Sequence, residues 1–204
     1  MTGAHPAATL SGGVALLERS VSYALGQLHG VTSADLSCPT PCAQWDLRGL
    51  LEHMDDSLAA LAEALDARHV DAVPGPGYGP AGPGYGPAGS AVSVVGALRD
   101  RAGRLLGALA QAGDDLVWVG GFPVPACVVT SAGAVDIAVH GWDVGRACGR
   151  AGPIPDELAT DMLDISPLLV SSADRPERFA APVTVLAQAT ASDRLVAYLG
   201  RHPG

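Results

Sequence analysis

Residues 46–65 read DLRGLLEHMDDSLAALAEAL, and their apolar side chains recur at steps of three and four. One continuous face collects Leu47, Leu50, Leu51, Met54, Leu58, Leu61 and Leu65. This spacing is typical of an amphipathic α-helix, and Asp46 immediately before it is a favourable N-cap. We therefore predict a helix that begins after Asp46 and runs to about Val70.

The same periodicity predicts further helices on both sides of this one. They are expected over residues 14–28, 92–112, 130–148 and 156–171, with one or two last turns at 192–199. Gly113 and Gly149 are predicted to follow the ends of two of them, and Thr130 or Ser131 to cap the start of the 130–148 helix. Between them, 116–129 is predicted to hold a short strand pair or an irregular crossover. Four longer helices indicate an all-α fold, a four-helix bundle with an additional short C-terminal helix.

Composition narrows the classes of protein that the chain can be. Its 204 residues suit one domain over 1–204, and 12 basic residues face 21 acidic ones. All the basic residues are Arg, so no Lys can form a Schiff base or hold a nucleotide phosphate. The acidic balance disfavours nucleic acid and anionic membranes as partners. We see no signal peptide or membrane span and expect a cytoplasmic protein with reduced cysteines.

A tandem duplication interrupts the helical pattern. Residues 76–82 read PGYGPAG, and 83–89 repeat them letter for letter. So much Gly and Pro disfavours helix and packed core, so we predict a flexible loop over 72–90 within the domain. Tyr78 and Tyr85 would be exposed linker residues or ligand contacts.

Residues 135–143, VDIAVHGWD, carry the most informative polar groups. Asp136, His140 and Asp143 stand at i, i+4 and i+7 and therefore share one helix face. In so apolar a helix, a buried carboxylate and imidazole need partners. A divalent metal would satisfy both groups, but from spacing alone a simple hydrogen-bonded Asp136–His140 pair is the preferred interpretation.

A metal site needs a third ligand, and His53 is the best candidate. Of the six histidines, His53 and His140 occupy mid-helix positions. Bundles build metal sites from facing helices, although a lone mid-helix histidine can also be purely structural. From the residues alone, two interpretations stay open: a site in which His53, Asp136 and His140 bind one divalent ion, zinc or a similar metal, and purely structural roles for these residues. Asp143 would orient a ligand imidazole or pair with Arg146.

Other motifs give weaker signals. Cys38 and Cys42 have the spacing of a redox pair or half a zinc site, but Cys127 and Cys148 offer no second half, so a packed, reduced pair is the preferred interpretation. Trp45 and Trp142 are predicted to be loop-anchoring and core residues rather than ligand contacts. No nucleophile elbow, HExxH motif, dinucleotide loop or EF-hand is present.

Three segments resemble a known family. They are PTPCAQWDLR with LLEH at 39–48 and 50–53, VHGWDVGRA at 139–147, and DRL with LGRHP at 193–195 and 199–203. Together they resemble the DinB-like, mycothiol-dependent maleylpyruvate isomerase N-terminal family, in particular an actinobacterial metal-binding subgroup. The resemblance implies a four-helix bundle whose metal ligands correspond here to His53, Asp136 and His140. The isomerase carries Glu where this chain has Asp136.

The resemblance also implies a function. We expect a metal-dependent enzyme acting on a small electrophilic or thiol-bearing substrate, of isomerase or thiol S-transferase type, with a role in secondary metabolism open. A low-molecular-weight thiol would be the co-substrate, but the isomerase's separate C-terminal thiol-binding domain does not fit in this chain. The alternative is a non-catalytic metal- or small-molecule-binding bundle protein. A homodimer through the short fifth helix is a further expectation.

Overall fold

A computed structural model describes residues 12–43, 45–70, 90–111, 113, 115–150, 152–175 and 178–203. Their helices are α1 (Gly13–Gln27), α2 (Leu47–Asp66), α3 (Ala91–Leu109), α4 (Ala126–Ala147), α5 (Asp156–Leu169) and α6 (Ala191–Tyr198). The short strands β1 (His69–Val70), β2 (Leu116–Val119) and β3 (Phe122–Pro125) form one small sheet in that order. The predicted all-α class is confirmed.

The first four helices form the bundle. α1 packs most extensively on α4, and α2 packs on both α3 and α4. The whole predicted apolar face of α2 is buried: Leu47, Leu50, Leu51, Met54, Leu58, Leu61 and Leu65. Burial of this face against two helices fixes the rotation of α2, and therefore also the direction of the polar residues between its leucines.

The start of α2 is as predicted, but its end is not. The Asp46 side chain accepts a hydrogen bond from the Gly49 amide at 2.9 Å. The helix ends at Asp66 rather than near Val70, because Arg68 takes a positive φ of 55° and turns the chain. His69 and Val70 then pair in parallel with Trp118 and Val119. This pairing joins distant segments, so helical periodicity could not predict it.

The hairpin of β2 and β3 confirms the strand pair predicted within 116–129. It leads directly into α4, which begins at Ala126 after the extended Pro125. The predicted cap at Thr130 or Ser131 is wrong, since Thr130 lies inside the helix and its hydroxyl donates to the Ala126 carbonyl. The end of α4 is as predicted, with Gly149 at a φ of 68°.

Two other ends were misplaced. α3 ends at Leu109, so Gly113 is not its stop residue, and α5 ends at Leu169 rather than Ser171. α6 begins at a capping box in which Thr190 and Asp193 satisfy each other's backbone amides, and it packs against α5. Two helices thus follow the bundle, and the second of them confirms the last helical turns predicted at 192–199.

The predicted loop over 72–90 lies outside the described residues except for Ser90, which caps α3. Within the part of the chain that the structure describes, we find no helix with both the length and the hydropathy of a membrane span.

Candidate metal centre

His140 is the pivot of a polar cluster on α4. Its Nε2 lies 3.4 Å from Asp136 Oδ1, one turn earlier, and its Nδ1 lies 3.1 Å from Asp143 Oδ2, one turn later. The predicted i, i+4, i+7 spacing therefore brings all three side chains into contact. Each ring nitrogen of His140 faces a different carboxylate.

α2 adds His53 to this cluster from across the bundle. His53 Nε2 lies 3.7 Å from Asp136 Oδ1, and the two imidazole rings are nearly perpendicular, at 85°, with centroids 4.9 Å apart. One ligand atom from each of His53, Asp136 and His140 lies within 4.8 Å of the others, and this group can hold a metal ion. Ligands about 2.0–2.1 Å from a tetrahedral zinc ion lie roughly 3.4 Å apart. The donor types and the two measured separations fit such an ion.

The cluster is open on one side. The side chains of His53 and Asp136 are 31% and 33% exposed, whereas that of His140 is 7% exposed. His140 is thus held within the bundle while the other two candidate ligands face solvent. His53 and Asp136 therefore form the more exposed side of the cluster.

Charge stabilises the cluster. Desolvation by neighbouring groups would raise the pKa of Asp136, but His140 and His53 outweigh it and hold that pKa well below its usual range. Burial would lower the pKa of His140, but Asp136 and then Asp143 raise it to about 9. Asp136 is therefore a carboxylate at neutral pH, which is the form that binds metal, whereas His140 would have to give up a proton when a metal binds.

Asp143 contacts His140, and the described residues show no ion pair between Asp143 and Arg146. Asp143 is fully buried and accepts hydrogen bonds from Arg201, at 2.9 Å from Nη2 and 3.4 Å from Nε. Burial would raise the pKa of Asp143, but bonding to His140 and the charge of Arg201 lower it. The Arg146 guanidinium lies over the Trp142 ring instead.

Trp45 also belongs to the cluster, although the sequence indicated only a loop anchor. Its ring stacks on His53 at a centroid distance of 4.4 Å and an angle of 21°, and it meets the His140 ring edge to face at a centroid distance of 5.9 Å. Gly49 permits this position, because a Cβ there would lie 3.1 Å from Trp45 Cδ1. Trp45 therefore forms a wall of the cluster. Trp142 is 5% exposed, as predicted for a core residue.

The cysteines supply no clear second site. Cys38, Cys42, Cys127 and Cys148 form no disulfide, and all four are half-buried. Burial raises the pKa of Cys148, which disfavours its reactive thiolate form.

Fold and cluster together define a class: a helical bundle protein in which two helices bring together a His–Asp–His group that can hold a metal ion. The family model for the mycothiol maleylpyruvate isomerase N-terminal domain matches residues 17–145, more than half of the chain. The chain belongs to this family, and its bundle is DinB-like. Searches of the curated proteins and of the solved structures found no match to it.

The matched range contains His53, Asp136, His140 and Asp143, but not Arg201. The segment around Arg201 is one of those that resemble the family, since 199–203 is similar to the C-terminal end of its relatives. It held no signal for the contact with Asp143, which spans 58 positions.

Proposed function

We propose that this protein is a metal-dependent enzyme acting on a small electrophilic or thiol-bearing substrate, as an isomerase or a thiol S-transferase. The observation that carries the proposal is the open His53–Asp136–His140 cluster. Three protein ligands with an accessible side are typical of catalytic metal sites, whereas structural zinc sites are closed by four. The family's description supplies the thiol and the isomerisation as precedents.

In this proposal each residue of the cluster has a distinct role. His53, Asp136 and His140 hold the metal, while Asp143 fixes the orientation of the His140 ring. Trp45 limits access of water from one side by covering His53. When bound, the ion would lower the pKa of a thiol or water and polarise a carbonyl group.

Two imidazoles and one carboxylate suit zinc and several other first-row divalent ions. We propose zinc or a metal like it, with a low-molecular-weight thiol as co-substrate. The chain carries no net positive charge. This does not oppose the proposed thiol co-substrate, since the ion itself would provide the local positive charge that attracts a thiolate or carboxylate.

Metal content of purified variants tests the site. We expect the wild-type protein to bind one zinc or similar ion per chain, and His53→Ala and His140→Ala each to lose it, because each removes a helix's imidazole ligand. His29→Ala is the matched control, since His29 is exposed and lies just beyond α1. Plasma emission spectroscopy after dialysis measures the metal. Stoichiometric metal in both ligand variants would place the site elsewhere.

Turnover tests the enzymatic part separately. The metal-loaded protein is incubated with mycothiol and maleylpyruvate, and then with a panel of other small electrophiles. We expect product formation that the His140→Ala variant and chelator both abolish. Metal binding without turnover across the panel would contradict the enzyme proposal and leave a non-catalytic metal- or small-molecule-binding bundle protein.

A further inference from the structure

Arg201 is a buried cation that reaches the back of the cluster from the C-terminal segment. It follows α6 and is 6% exposed. Its backbone amide donates to the Val196 carbonyl at 2.8 Å, and its Nη1 donates to the Leu199 carbonyl at 2.9 Å. Contacts within the C-terminal segment itself therefore help to hold the Arg201 guanidinium in place.

The other side of the guanidinium faces Asp143. Nη2 lies 2.9 Å from Asp143 Oδ2 and Nε lies 3.4 Å from Oδ1, so the arginine meets both carboxylate oxygens. Oδ2 also contacts His140 Nδ1 at 3.1 Å. A continuous chain of contacts therefore runs from Arg201 through Asp143 to the ring whose Nε2 faces Asp136.

We propose that Arg201 is a positioning residue of the metal centre, which fixes the Asp143 carboxylate and, through it, the His140 ring. This inference rests on the proposed metal site. Paired carboxylate oxygens cannot rotate freely, and a carboxylate that cannot rotate holds the imidazole plane. The C-terminal segment, which lies outside the range matched by the family model, thereby completes the site.

Two other roles for Arg201 predict different results. If Arg201 acted only as a positive charge near a cation, its removal would tighten metal binding, because like charges repel. If it only attached the C-terminal segment, its removal would lower the melting temperature and leave the metal affinity of the folded protein unchanged. Positioning predicts weaker metal binding, against the direction of the charge effect.

The experiment compares the wild type with Arg201→Met, Arg201→Lys and Arg175→Met. Arg175 is the matched control, since it also anchors the C-terminal segment. Its side chain donates to the Tyr198 carbonyl at 2.7 Å, and its guanidinium lies over the Tyr198 ring. Zinc affinity is measured by chelator competition, ligand geometry by the cobalt(II) absorption spectrum, and folding by thermal unfolding of the metal-free proteins.

We expect Arg201→Met to weaken zinc binding by about 10–100-fold and to change the cobalt spectrum, as removal of outer partners of metal ligands does. Arg201→Lys keeps the charge but loses the planar fork, so its affinity should be intermediate. Arg175→Met should lower the melting temperature and leave affinity and spectrum unchanged.

A folded Arg201→Met that binds zinc as tightly as the wild type, or more tightly, overturns the proposal while the metal site stands. If Arg201→Met does not fold, Arg201→Lys decides in the same way: weaker binding supports positioning, and equal or tighter binding overturns it. A wild type that binds no metal overturns the proposed function, and this inference with it.

Discussion

The two ring nitrogens of His140 contact different carboxylates. Nε2 of His140 faces Asp136, and through it His53, on the open side. Nδ1 faces Asp143, which is fully buried. The His140 ring thus contacts both the exposed part of the cluster and the buried Asp143. In the proposed metal site, the contact of Nδ1 with Asp143 would leave Nε2 as the nitrogen that binds the metal.

At Asp136 the structure makes a prediction about side-chain length. Asp136→Glu should retain stoichiometric metal, because it keeps the carboxylate and the side chain at this position is one-third exposed. Glutamate is also the residue that the related isomerase carries. Asp136→Asn keeps the shape and removes the negative charge, so its metal affinity should fall. Chelator competition on both variants checks this, and loss of metal from Asp136→Glu alone would contradict it.

The sequence predicts some residues of the cluster and not others, for a physical reason. Asp136, His140 and Asp143 could be placed together because helical spacing alone defines their face. His53 needed the bundle as well, since it comes from another helix. Trp45 and Arg201 could not be predicted, because their contacts depend on how a loop and a terminal segment fold back over the bundle.

Small residues set the distance between α1 and α4, the most extensively packed pair of helices. A Cβ on Gly141 would lie 3.0 Å from Ala24 Cα and 3.3 Å from Tyr23 Cε1. Gly141 follows His140 directly. The close approach of these helices is therefore tied to the place where α4 carries its buried imidazole.

Gly141→Val should destabilise the fold by about 1–3 kcal/mol, because the added methyl groups press on the backbone of α1. Gly103→Ala on α3 is the matched control: nothing lies within 4 Å of its Cβ position, so the substitution should stabilise by about 0.4–1 kcal/mol. Denaturant unfolding measures both changes. Equal stability of Gly141→Val and the wild type would show that α1 moves away without cost.

The sequence predicts that the helices of the bundle exist, but it does not predict where all of them end, because some helix ends depend on long-range contacts. The apolar periods placed α1 within a residue of its observed bounds, 13–27. α2 ends early because β1 pairs with β2, and α4 begins early because the hairpin delivers Pro125 in extended form. Neither event leaves a periodic signal in the residues concerned.

On the scale of the whole molecule, several large apolar side chains of the described residues are exposed outside the cluster. Leu168 on α5 is 52% exposed, and Trp118 and Phe122 of the hairpin are 48% and 73% exposed. The homodimer through α5 stays a prediction. Size-exclusion chromatography with light scattering tests it, and a 20.5 kDa monomer at micromolar concentration would contradict it.

Metal should stabilise the whole bundle, because the proposed ligands come from α2 and α4, which are far apart in sequence. An ion that binds only the folded state adds about 2.7 kcal/mol when its concentration is 100 times the dissociation constant. For a chain of 204 residues this corresponds to a rise in melting temperature of about 5–11 °C. Thermal unfolding with zinc and with chelator measures the difference.

His53→Ala gives that experiment its control. This variant removes the ligand that α2 contributes, so zinc should no longer join the two helices and the rise in melting temperature should disappear. His29→Ala should keep it, since His29 lies outside the cluster. If zinc raises the melting temperature of His53→Ala as much as that of the wild type, the stabilising ion binds elsewhere and α2 does not take part in the site.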